Sequence, residues 1–76
     1  MNIEVIIRIH ELISLQSTGI PCKLAEKLGL SERSVYNYLS YMKKNMNAPI
    51  KYSPQKQTYY YYEEVKFCFV GGWEEL

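Results

Sequence analysis

The hydrophobic period of this chain changes once, at Asn47-Ala48-Pro49, and that change limits the folds open to it. Before it, apolar residues recur three and four apart: Val5, Ile6, Ile9, Leu12 and Ile13, then Leu24, Ala25 and Leu28, then Val35, Leu39, Met42 and Met46. Each set falls on one face of a helix. After it, β-branched and aromatic residues gather in short runs, Ile50-Lys51-Tyr52, Thr58 to Tyr62 and Val65 to Val70, separated by turn formers. Three amphipathic helices followed by short extended segments make an α+β chain, mainly α. With 76 residues it is one domain, because a chain this short buries only about 60% of the surface its unfolded form exposes.

Local signals place the boundaries. Helix 1 is expected over about 2–16 and is broken by Ser17-Thr18-Gly19. Helix 2 is expected over about 21–28, with Pro21 at its first position, where a missing N–H costs nothing, and Gly29 as a left-handed terminator. Ile20 is a poor cap, so nothing but the proline signs this start. Ser31 is a good N-cap and Glu32 suits the positive end of a helix dipole, so helix 3 is expected over about 32–45. A hairpin follows over about 50–62, with Ser53-Pro54-Gln55-Lys56-Gln57 as its polar turn. A further extended segment, about 65–70, ends at Gly71-Gly72.

Composition removes several function classes. Val5-Ile6-Ile7 is cut short by Arg8, far from the roughly 20 apolar residues of a membrane span, so no membrane partner is expected. The start carries Glu4 and neither a basic leader nor a cleavage site, which makes a cytoplasmic protein the expectation. Cys22 and Cys68 are too far apart for a metal-binding pair and have only His10 for company, so both read as free thiols and no metal is expected. With one His and no Asp, neither a Ser-His-Asp arrangement nor the usual zinc and two-carboxylate sites can be assembled. The expectation is a protein without catalysis and without a cofactor.

Net charge is +1, which says nothing about a partner, but its distribution does. Residues 33 to 56 hold Arg33, Lys43, Lys44, Lys51 and Lys56 and no acid, whereas residues 63 to 76 hold Glu63, Glu64, Glu74 and Glu75 against Lys66. The first stretch is a basic island; the second marks a side turned away from any polyanion.

Helix 2, the tight turn at Gly29-Leu30 and helix 3 read as a helix-turn-helix, in which Ala25 allows close approach of the helices while Leu30 and Val35 pack beneath. With the hairpin behind it, the order is that of a winged helix. The run Leu24-Ala25-Glu26-Lys27-Leu28-Gly29-Leu30-Ser31-Glu32-Arg33-Ser34-Val35, followed by Ala48-Pro49-Ile50-Lys51-Tyr52 and the tyrosine-rich strand, resembles the N-terminal DNA-binding domain of DeoR-type and WYL-domain bacterial transcription regulators. The likeness extends over about residues 6 to 61. It implies a winged helix-turn-helix whose third helix enters the major groove and whose wing lies on the neighbouring backbone. Family members often carry two Arg after the position of Val35 and Gly-Gly before the wing tyrosine; this chain has Tyr36-Asn37 and Gln57-Thr58. These 76 residues do not include the effector domain that usually follows in the family, which leaves a stand-alone small regulator, an accessory factor and a cut fragment as alternatives.

The helix 3 wheel leads to the same face independently. Opposite Val35 lie Arg33, Asn37 and Lys44, with Ser40 and Tyr41 beside them and Ser34 and Tyr36 on the flanks. Arg33 and Asn37 carry the donor fork and amide pair that read guanine and adenine edges; Ser34, Tyr36 and Tyr41 can bond phosphates. Lys44, Lys51 and Lys56 add backbone charge. Double-stranded DNA is therefore the expected partner of a small transcriptional regulator. The alternative is a winged helix that binds another protein, which the near-zero net charge, Tyr36 and the aromatic C-terminus favour.

Other residues invite plainer readings. In the run from Tyr59 to Tyr62, alternate residues face opposite ways, so one pair is expected on helix 3 and the other on the wing surface. His10 falls at the margin of helix 1's apolar face, as a half-exposed surface histidine. Ile3 and Ile7 lie off that face, and Phe67, Phe69 and Trp73 follow a hairpin that is already complete. Those five residues suggest a homodimer interface, which would set two recognition helices on a palindromic site, unless the C-terminal strand folds back over Ile3 and Ile7.

Overall fold

The computed structural model describes residues 2–63 and the backbone of residues 65–68 and 72–75. Three helices come first: α1 (Ile3–Ser14), α2 (Pro21–Leu28) and α3 (Glu32–Asn45). A two-stranded antiparallel sheet follows, β1 (Ile50–Ser53) with β2 (Thr58–Tyr61). The chain is thus α+β and mainly helical, with a β-hairpin behind the third helix.

Each helix end has an identifiable cause. The Asn2 side chain caps α1 by accepting the Glu4 N–H at 2.9 Å. Its other end falls two residues before the expected one, because Gln16 turns to φ 51° and the Ser17 N–H closes back on the Leu12 carbonyl at 2.9 Å. Pro21 opens α2 behind an Ile20 that makes no side-chain cap. Gly29 ends it at φ 68°, a left-handed conformation that costs a residue with a Cβ free energy and glycine almost none. Ser31 caps α3 by accepting the Ser34 N–H at 3.1 Å.

Among the described residues the core draws on all three helices and the β1–β2 hairpin: Ile6, Ile9 and Ile13 of α1, Leu24 and Ala25 of α2, Val35, Leu39 and Met42 of α3, then Ala48, Ile50 and Tyr59. Register in the hairpin pairs Ile50 with Tyr61, Lys51 with Tyr60, Tyr52 with Tyr59 and Ser53 with Thr58. Side chains alternate across a strand, so Ile50, Tyr52, Tyr59 and Tyr61 all pack inward on the core. Lys51 is left outward and exposed.

The C-terminal part differs from the single extended segment expected over 65–70. Strand β3 (Val65–Cys68) pairs antiparallel with a fourth strand, β4 (Gly72–Glu75), that the sequence reading did not include. Gly72, taken as part of a terminator, opens the returning strand, opposite Cys68. Two adjacent glycines signal a chain reversal as readily as an end, and only Trp73-Glu74-Glu75-Leu76, with one aromatic and no apolar run, lay beyond them to announce a strand.

Candidate nucleic-acid interface

Helix α3 turns Val35, Leu39 and Met42 inward, and that fixes what its other side presents. Arg33, Asn37 and Lys44 are exposed there, with Tyr41 beside them, while Ser34 and Ser40 are half-buried. Tyr36 is 51% exposed on the flank that meets the hairpin. Ser34 is already engaged: its hydroxyl accepts from the Ser31 hydroxyl at 3.1 Å, so its first role is in the cap. Lys51 and Lys56 are exposed on the hairpin. The Lys51 ammonium sits 4.8 Å from the centre of the Tyr62 ring, a cation–π contact that holds it at the surface.

The tyrosine run divides by alternation, but not onto one helix. Tyr59 packs edge-on against Tyr52, ring centres 4.9 Å apart, and its phenol is pushed up to about 12 by burial first and then by the nearby Tyr36, Tyr52 and Glu32. Two of those neighbours belong to the first turns of α3. Tyr61 instead meets α1: its hydroxyl lies 2.8 Å from His10 Nδ1. His10 is accordingly half-buried, and burial lowers its pKa while the adjacent Glu11 partly offsets that. The two inward tyrosines thus tie the hairpin to both outer helices.

Sequence reasoning missed the buried polar joint that sets the hairpin's position. Thr18, between α1 and α2, is wholly buried, and Thr58 of β2 is 2% exposed. Their hydroxyls lie 3.1 Å apart, the Thr18 N–H donates to Thr58 Oγ1 at 3.2 Å, and the Tyr59 N–H donates to Thr18 Oγ1 at 2.8 Å. Every one of these groups would lose free energy if buried without a partner. Nearby, the Lys27 ammonium donates to the Ser17 carbonyl, holding the same loop from the α2 side. A second missed residue is Tyr38, which packs on the core while its hydroxyl accepts the Asn2 N–H at 3.2 Å.

Of the residues expected at a dimer interface, Ile3 is 41% exposed and Ile7 half-buried. Phe69 and the side chains of Phe67 and Trp73 lie outside the described residues. Cys22 is an exposed free thiol. Among the described residues no cluster of His, Cys, Asp or Glu could hold a metal ion, and no helix is long and apolar enough to cross a membrane. Comparison with protein families, with curated proteins and with solved structures finds no match to this chain.

Proposed function

We propose that this chain is a winged helix-turn-helix DNA-binding protein, a small transcriptional regulator of the kind its sequence resembles, with α3 in the major groove and the β1–β2 hairpin as a wing on the adjacent backbone. One observation carries the reading. From Arg33 to Tyr62 every charged side chain is basic, and all five, Arg33, Lys43, Lys44, Lys51 and Lys56, are exposed. A run of exposed basic residues from helix to hairpin, uninterrupted by an acid, suits a phosphate backbone. At 14 residues, α3 is about 21 Å long, enough to lie along a groove. In this reading two copies pair through the edge of α1 at Ile3 and Ile7, and a twofold site is bound.

Base reading and backbone holding separate by mutation. Asn37→Ala is expected to cost about 1–3 kcal/mol on a site selected from random duplex and little on unselected DNA, whereas Lys51→Ala and Lys56→Ala weaken both equally. Equal losses on both DNAs for all three variants would reduce Asn37 to a positioning role. The exposed aromatic rings, Tyr36 at 51% and Tyr62 at 50%, favour a second reading, a winged helix that binds another protein. That reading takes over if duplex DNA is not bound at low salt.

A further inference from the structure

A cleft of about 290 Å³ opens on the side of the hairpin that faces the α1–α2 loop, lined by Gln16, Ser53, Lys56 and Tyr60. From these residues we infer a seat for a phosphate group, separate from the α3 face. Among the described residues the lining brings an amide, two hydroxyls and an ammonium, and no acid. All four groups donate hydrogen bonds, and the ammonium alone has three to give. Donors arriving from two walls suit an oxyanion with acceptor oxygens on several sides, as phosphate has, and lysine is a common phosphate binder acting as a point charge. The volume lies at the lower limit of about 300 Å³ for small-molecule sites, suited to a phosphate with a small substituent.

The donors are available. Lys56 has no ion-pair partner among the described residues, where the one ion pair joins Lys23 and Glu26. The Ser53 hydroxyl accepts the Lys56 N–H at 3.3 Å, and its own proton is held only by a long 3.5 Å contact to Gln55 Oε1, so it can turn to a ligand. The walls are also fixed in advance. Gln16 stands two residues before Thr18, and Ser53 pairs with Thr58, so the buried Thr18–Thr58 hydrogen bonds clamp the two sides at a set separation. Gln16 and Gln57, the latter beside Lys56, hold positive φ values of 51° and 52°. For non-glycine residues this conformation is unfavourable and persists only where the surroundings enforce it.

The inference does not depend on DNA binding, because the same phosphate chemistry can come from a free anion or from a nucleic-acid backbone. The test is a titration with inorganic phosphate at constant ionic strength, balanced with chloride and followed by backbone amide resonances. Saturable shifts are expected at Gln16, Ser53, Lys56 and Tyr60, with affinity about tenfold weaker in Lys56→Gln and about threefold weaker in Tyr60→Phe. Both substitutions are at exposed or half-exposed positions and leave the core intact. Repeating the titration with duplex present identifies the source: competition at these four residues makes the seat one for a backbone phosphate, and simultaneous binding makes it one for a phosphate-bearing small molecule. Phosphate binding without duplex binding would remove the DNA reading and leave the seat. Phosphate that moves none of the four residues, or shifts that survive unchanged in Lys56→Gln, would overturn the seat whatever the duplex does.

Discussion

Helices α1 and α3 bury the same kind of stripe and present opposite kinds of surface. In α1, Ile6, Ile9 and Ile13 go inward, and the outer charges are mixed: Glu4, Arg8 and Glu11. In α3, Val35, Leu39 and Met42 go inward, and after Glu32 in the first turn the outer charges are Arg33, Lys43 and Lys44, without an acid. The inward stripes are interchangeable in principle, since packing asks only for apolar volume at helical spacing. The outward faces are not. The difference between the two helices is written on the side the fold does not need.

The comparison breaks first if the stripes are not equivalent. Ile9→Ala in α1 and Leu39→Ala in α3 each empty a fully packed site and are each expected to cost about 2–5 kcal/mol in urea unfolding. A loss below about 1 kcal/mol at either position would mean that its helix is not held by the shared core. A smaller effect tests the joint that sets the hairpin against both helices. Thr58→Val keeps the shape but leaves the buried Thr18 N–H without its acceptor, an expected loss of about 1–3 kcal/mol by the same measurement. An unchanged midpoint would show that the joint contributes nothing.

A fourth variant sharpens the difference at the edge of α1, where Ile3 is 41% exposed and Ile7 half-buried. If that edge joins two copies, Ile7→Glu turns a sedimenting dimer into a folded monomer with stability changed by only about 1 kcal/mol. A wild type that already sediments as a monomer contradicts the dimer.

The helices and the first hairpin were legible because their signals are local. Periodicity, Pro21, Gly29 and Ser31 each act within a few residues, and the wheel of α3 follows from its stripe. The exposed Arg33, Asn37 and Lys44 could therefore be named from the sequence. Thr18 and Thr58 could not: they stand 40 residues apart, belong to no periodic pattern, and each alone reads as an ordinary loop or strand residue. The same holds for the cleft, whose Gln16 wall and Tyr60 wall meet only through tertiary packing. Strand alternation predicted that the tyrosines would divide, yet it could not say that Tyr59 would meet α3 and Tyr61 would meet His10 of α1. Beyond Cys68 the glycine pair hid a strand, since a terminator and a reversal share one signal.

The central claim is that the acid-free face of α3 and the hairpin binds duplex DNA. It is tested most directly by the salt dependence of that binding, measured as fluorescence anisotropy of a labelled duplex across a range of salt concentrations. With Arg33, Lys44, Lys51 and Lys56 each neutralising one phosphate, log K should fall against log salt with a slope of about −3.6 per subunit. A slope near zero, or no duplex binding at low salt, would contradict the claim and turn the exposed aromatic surface toward a protein partner.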